Sequence, residues 1–172
     1  MNEAILLTGA TGLLGSWIAA RLIQRPDCTI LALVRAEGQE AAQRRLARAW
    51  WDWPELVNAI GGRVEAICGD VCAPRLGLSE ADYAALIERV THIIHTAADL
   101  RINAPIGELR KTNVQGVAHV LELARAVHQH HGLSRLAHVS TAYVAGGRNG
   151  AVPEEALTDE HGFASTYELS KY

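Results

Sequence analysis

The stretch Ala4-Ile5-Leu6-Leu7-Thr8-Gly9-Ala10-Thr11-Gly12-Leu13-Leu14-Gly15 decides the fold. A short apolar run ends in a threonine and a G-x-x-G-x-x-G turn, and a stretch of helical period begins inside that turn. Glycines at a strand-to-helix turn let the backbone come close to a ligand, and the helix N-terminus presents unpaired N–H groups and the positive end of its dipole. Thr8, Gly9, Thr11, Gly12, Leu13, Leu14 and Gly15 are therefore expected to cradle a pyrophosphate. The spacing differs from the G-x-G-x-x-G of the commonest dehydrogenases.

Outward from this turn, short apolar runs alternate with longer helical stretches. Strands are expected at Ala4–Leu7, Thr29–Val34, Val64–Cys68, His92–His95 and Leu136–Ser140, and helices at Leu13–Gln24, Glu40–Trp50, Glu80–Arg89 and Ile106–Gln129. The strands read as continuous apolar runs, as they do when helices cover both faces of a parallel sheet. With right-handed crossovers this predicts an α/β, doubly wound, mostly parallel Rossmann-type sheet occupying residues 1–172 as one NAD(P)-binding domain. Five strands fall short of the six of the full dinucleotide fold, so the chain reads as the N-terminal part of something longer, truncated after the fifth strand and lacking a substrate-binding part. The unassigned stretch from Tyr143 to Thr166 is long for a compact domain, which predicts a functional loop.

Composition narrows the classes. At 172 residues, 49% hydrophobic and 20% charged, the chain is that of an ordinary globular domain, and its net charge of −3 argues against a nucleic-acid partner. No apolar run reaches the roughly 20 residues of a membrane span, and Asn2 and Glu3 leave no basic leader, so a cytoplasmic protein is expected. Three cysteines, Cys28, Cys68 and Cys72, fit neither a disulfide framework nor a zinc pattern and are expected in the core. Of 16 basic residues only Lys111 and Lys171 are lysine. Each lysine thus raises the question of what arginine could not supply there.

The end of the second strand selects the cofactor. An acidic residue about 20 positions past the glycines would bind the ribose hydroxyls of NAD; here the strand runs Leu33-Val34-Arg35, and arginine suits the 2′-phosphate of NADP(H). Asp70, in Gly69-Asp70-Val71 after the third strand, is expected to accept from the adenine amino group. Thr96, Ala97 and Ala98, after the fourth, are small enough for backbone to pack on the ribose and pyrophosphate. Near the C-terminal end, Tyr167-Glu168-Leu169-Ser170-Lys171 puts a phenol and an ammonium one helical turn apart on one face. A Y-x-x-x-K is expected by chance only about 0.05 times in this composition. A compact ammonium binds ribose hydroxyls and favours the phenolate of its neighbour, fitting the tyrosine for acid–base work. Thr141, beyond the fifth strand, places a hydroxyl at the same sheet edge.

These motifs, in this order, resemble the extended short-chain dehydrogenase/reductase family. The resemblance implies Thr141 as the catalytic hydroxyl, Tyr167 as proton donor, Lys171 as its partner at the cofactor, and a mainly structural Asn113. Within that family the chain is similar to the thioester reductase, or fatty acyl reductase, branch. The residues carrying this are Val34-Arg35-Ala36 with Arg45-Leu46, Gly69-Asp70-Val71 with Pro74 and Leu76-Gly77-Leu78, Leu109-Arg110 before Asn113, and Val139-Ser140-Thr141. That likeness implies NADPH-dependent reduction of a small-molecule or carrier-bound acyl thioester to an aldehyde or alcohol, Arg45 assisting Arg35, by a free-standing enzyme. The competing readings are an NAD(P)-dependent sugar-nucleotide epimerase or dehydratase, and a cofactor-binding module without turnover. No metal is expected: His128, His130 and His131 read as a solvated helix end, Trp50, Trp51 and Trp53 as helix-to-sheet packing, and the acids from Glu154 to Glu160 as a solvated loop.

Overall fold

In the computed structural model, residues 3–172 are described. A five-stranded parallel sheet of order β3-β2-β1-β4-β5 is built from β1 (Glu3–Thr8), β2 (Cys28–Val34), β3 (Val64–Cys68), β4 (His92–His95) and β5 (Arg135–His138). Helices α1 (Leu13–Leu22), α2 (Gln39–Ala49), α3 (Pro54–Ala59), α4 (Glu80–Arg89), α5 (Ile106–Arg110), α6 (Val117–His130) and α7 (Thr166–Lys171) connect or follow the strands. The order reverses between β1 and β4, and in doubly wound folds the ligand crevice opens at that point, beyond the carboxyl ends of the strands.

Strand alternation splits the core in two. Ile5, Leu7, Ile30 and Ala32 face α1, α2 and α3, where Leu46, Trp50 and Leu56 are fully buried. Leu6, Leu31, Leu33 and Ile93 face α4 and α6, meeting Leu86, Val120, Leu123 and Val127. Both strand faces are apolar because both are covered.

Several expectations need adjusting. The fifth strand ends at His138, so Ser140 and Thr141 lie beyond it. The single helix expected at Ile106–Gln129 is interrupted by wide π-helical turns over Lys111–Gly116. Helix α3 is not among the expected elements; Pro54 at its first position supplies a preset φ where no N–H is needed. Within the long unassigned stretch, Ala142–Ala145 forms a 3₁₀ turn. Trp50 is fully buried as expected, but Trp51 is 74% exposed and Trp53 packs edge-on against Trp17, ring centroids 5.5 Å apart. Consecutive positions in a helical turn point about 100° apart, so Trp50 and Trp51 cannot share a face. Of the cysteines only Cys28 is fully buried.

Candidate active site

The glycine loop closes on itself and on the end of β4. Gly9 has φ +70°, and a Cβ there would strike Thr96 Oγ1 and lie 2.7 Å from Ala97 N. A Cβ on Gly15 would strike the Gly9 carbonyl oxygen and lie 2.8 Å from Gly9 C. Two buried donors hold the loop from below: Trp50 Nε1 donates to Ala10 O at 2.9 Å, and Ser16 Oγ donates to Gly12 O at 2.9 Å and to Ala10 O at 3.3 Å. Gly12 begins α1 without a side-chain cap, so the first N–H groups of the helix remain available to an anion.

An open crevice of about 1130 Å³ lies over this loop. Gly9, Thr11, Gly12, Leu13, Leu14 and Gly15 form one wall, and Arg35, Arg45, Asp70, Val71, Thr96, Ala97 and Ala98 continue it. Thr8 lies beneath, buried, its hydroxyl accepting from Ala97 N at 3.3 Å. Arg45 Nη1 donates to the Arg35 carbonyl at 2.7 Å, which brings both guanidinium groups to one end of the crevice. Asp70 Oδ1 accepts from Cys72 N at 2.9 Å, which leaves Oδ2 4.0 Å from Arg35 Nη1. Asp70 is thus both the turn residue and a crevice residue.

A left-handed turn supports this loop. Arg75, Leu76 and Gly77 have φ of 51°, 58° and 71°, and the turn aims the Leu76 carbonyl at Asp70 N, 2.7 Å away. Each non-glycine residue held there costs about 1–2 kcal/mol, offset here by full burial of the Leu76 side chain.

The crevice also holds residues that the motifs do not single out: Cys72, Asp99, Leu100, Arg101, Glu108, Lys111 and Thr112. Asp99 to Arg101 directly continue the Thr96–Ala98 segment, and that continuity is the available signal. Arg101 pairs with Asp99 at 2.7 Å and with Glu108 at 3.0 Å, so its charge is already matched. Lys111 is one of the two lysines, and scarcity is its signal.

The Tyr–Lys helix α7 opens with Ser165, whose Oγ accepts from Glu168 N at 3.2 Å, while Glu168 Oε2 accepts from Ala164 N at 2.8 Å, a variant of the capping box. Its start is tied to the loop after β4: Tyr167 N donates to Ile102 O at 3.1 Å and Thr166 Oγ1 to Ala104 O at 2.8 Å. Its end is tied to the residue that follows β5, where Lys171 Nζ donates to Val139 O at 3.2 Å. Burial pushes the Lys171 ammonium below the usual lysine range. Thr141 precedes the 3₁₀ turn, and its Oγ1 accepts from Tyr143 N at 3.3 Å. Thr141, Tyr167 and Lys171 do not line the large crevice; Lys171 lines a second cavity of about 530 Å³ with Asn113, His138 and Ser170.

Asn113 sits in the π-helical turns and joins these parts. Its Oδ1 accepts from Asp99 N at 2.8 Å, and its Nδ2 donates to Asp99 O at 2.9 Å and to Ser170 Oγ at 2.8 Å. The mainly structural part implied for it agrees with this bonding. Among the described residues no group of histidine, cysteine or carboxylate side chains could hold a metal, and no helix is long and apolar enough to cross a membrane.

The family model of the male sterility protein, an NAD-binding family, matches residues 7–172. The chain is 38% identical over 124 residues to a linear gramicidin synthase of Brevibacillus parabrevis, covering 72% of this chain and 2% of that protein. It is 35% identical over 166 residues to an isonitrile lipopeptide synthase of Mycobacterium tuberculosis, covering 92% of this chain and 6% of that one. Among solved structures it matches the terminal R domain of the myxalamid biosynthetic pathway with a TM-score of 0.86 and 30% identity, over 98% of this chain and 43% of that one. A UDP-glucuronic acid 4-epimerase from Bacillus cereus matches at 22% identity with a TM-score of 0.70, over 98% of this chain and 49% of that one, a likeness of fold alone. The chain therefore spans less than half the length of each of these relatives, yet the family match covers nearly all of it, and it belongs to the male sterility protein family of NAD-binding domains.

Proposed function

We propose that this chain is the cofactor-binding and catalytic-helix part of an NADPH-dependent reductase acting on an acyl thioester, small-molecule or carrier-bound. The observation that carries this reading is the convergence in one crevice of the glycine loop with Arg35 and Arg45. Arg35 directly after β2, with Arg45 of α2 bonded to its carbonyl and no carboxylate ending that strand, suits a 2′-phosphate and favours NADP(H) over NAD. The likeness to the terminal R domain of the myxalamid PKS-NRPS pathway and to a linear gramicidin synthase, whose names place them in peptide and polyketide assembly, supports a carrier-bound acyl group as the substrate class.

Cβ atoms at Gly9 and Gly15 would strike Thr96 and the Gly9 carbonyl, so only glycines let this loop fold tightly onto β4 and the uncapped start of α1, which supports its reading as the pyrophosphate cradle. When bound, NADPH supplies a hydride to the thioester carbonyl carbon, after which the carbon–sulfur bond breaks and the thiol leaves to give an aldehyde. Thr141 holds the developing oxyanion by a hydrogen bond. Tyr167 donates its phenol proton to that oxygen, and as the carbonyl re-forms and the carbon–sulfur bond breaks the same proton passes to the departing sulfur, so the products are an aldehyde and a free thiol. Lys171, anchored on Val139 O, binds the ribose hydroxyls beside Tyr167.

Fluorescence titration of NADPH and NADH, followed by thioester-dependent NADPH oxidation, tests this reading. Arg35→Ala is expected to weaken NADPH binding tenfold or more and leave NADH binding within about threefold, as for a lost charge-assisted contact. Tyr167→Phe is expected to abolish oxidation. Equal loss for both nucleotides would overturn the phosphate assignment. Recycling of the nucleotide without net consumption would favour the epimerase reading, and binding without turnover a cofactor-holding module.

A further inference from the structure

One rung of the sheet crosses all five strands: Ile67, Leu33, Thr8, His95 and His138 are in register. Its first half is apolar and packs under α4 and α6; its second half is polar and runs from the glycine loop toward Lys171. At the centre lies His95, 1% exposed, with no counterpart in the chemistry proposed above. Its Nδ1 is 2.6 Å from Thr8 Oγ1, and its ring lies over that of His138, centroids 5.2 Å apart and planes 18° from parallel. Thr8 Oγ1 accepts from Ala97 N, and among the described residues His95 Nδ1 is the one acceptor within reach of its own proton, so the hydroxyl donates to Nδ1. This assigns the ring proton to Nε2, a buried atom with no partner among the described residues.

We propose that His95, as a neutral imidazole, is a positioning residue that joins the glycine-loop threonine Thr8 to the Lys171 end of the site. The proposal rests on the reading of that loop as the NADPH cradle. Geometry supplies the reason for neutrality: a cationic ring has donors at both nitrogens, so it could only donate to Thr8 Oγ1 and would leave the buried Thr8 hydroxyl proton without an acceptor among the described residues. The charged or titratable groups that reach His95 are His138 from β5 and the Lys171 ammonium from α7; Thr8 faces it from β1 without charge. Burial, then His138 and Lys171, hold the imidazole down to about 4. Burial, then Lys171, also lower His138, so the side chains that line the second cavity with it as cations are Lys171 and Arg110. Protonating His95 would reverse the Thr8 link, strand the Thr8 hydroxyl proton and set a further cation against Lys171. Loss of cofactor affinity in acid should therefore follow this one ring.

The test compares wild type, His95→Asn and His95→Leu in NADPH titrations between pH 4.5 and 8, with 15N imidazole spectra of the wild type at pH 6. An asparagine carbonyl can accept from Thr8 but does not titrate. The expected result is wild-type affinity that falls reversibly below pH 5, an Asn variant within threefold of wild type at pH 7 whose affinity changes less in acid, and a folded Leu variant at least tenfold weaker throughout. The spectrum should show a neutral ring protonated at Nε2. Wild-type affinity in a folded Leu variant, an acid profile unchanged in the Asn variant, or a protonated His95 ring at pH 6 would each overturn the proposal. If the Leu variant does not fold, the Asn profile and the spectrum still decide. If wild type binds no NADPH, the cofactor assignment fails, and the spectrum alone judges the state of His95.

Discussion

Removing the two donors beneath the glycine loop separately and together tests whether they share one acceptor. Ala10 O receives both Trp50 Nε1 and Ser16 Oγ, and Ala10 is fully buried. In Trp50→Phe the oxygen keeps Ser16, so the cost is one hydrogen bond and some lost packing, about 2 kcal/mol. In Ser16→Ala it keeps Trp50, and the cost is about 1 kcal/mol. In the double variant the carbonyl is left dry and unpaired, a penalty of roughly 1–3 kcal/mol that neither single change incurs. The double variant should therefore lose about 4–6 kcal/mol, exceeding the sum of the singles by about 1–3 kcal/mol. Urea unfolding followed by circular dichroism measures the cycle, and NADPH titration should show the loop loosening in the same order. Additivity within about 0.5 kcal/mol would refute the shared acceptor.

Gly15→Ala should abolish NADPH binding and cost at least about 2 kcal/mol in unfolding, because its Cβ would strike the Gly9 carbonyl. Acid should destabilise the fold through His95: its folded value of about 4 lies below the ordinary 6.5, so the unfolded chain takes up the proton first. Stability is present above pH 6.5 and falls between 6.5 and 4, by up to about 3 kcal/mol in wild type and less in His95→Asn, measured by denaturant midpoints across pH. Trp51→Ser, at a 74% exposed position, should leave the unfolding free energy within about 0.5 kcal/mol; a larger loss would place that side chain in a packing role it does not show.

The elements legible in the sequence are those whose information is local. The apolar runs of β1 to β4, the glycine turn and the one-turn spacing of Tyr167 and Lys171 each carry their signal within a few residues. Arg35, Asp70 and Thr96 reach one crevice because parallel strands end at one sheet edge, a consequence of topology that alternation alone supplies, and Arg45 joins them from α2 through the Arg35 carbonyl. What escapes depends on partners far along the chain. The π-helical turns carry no proline and their one glycine, Gly116, comes at their end: Lys111 to Gly116 is distinguished by what Asn113 bonds, at Asp99 and at Ser170. The left-handed turn gives two non-glycine residues positive φ, against local preference, because Leu76 is buried and its carbonyl meets Asp70 N. Likewise the Thr8, His95, His138 row exists only in the register of three strands.

The three hydrogen bonds of Asn113 also bear on how the molecule fluctuates. One carboxamide grips both the Asp99 segment, which lines the large crevice, and the helix that carries Tyr167 and Lys171, so the opening of either is coupled to that of the other. In hydrogen exchange the amides of Asp99 and of Leu169 should then behave as one cooperative unit with a single opening free energy, and Asn113→Ala should split it into two.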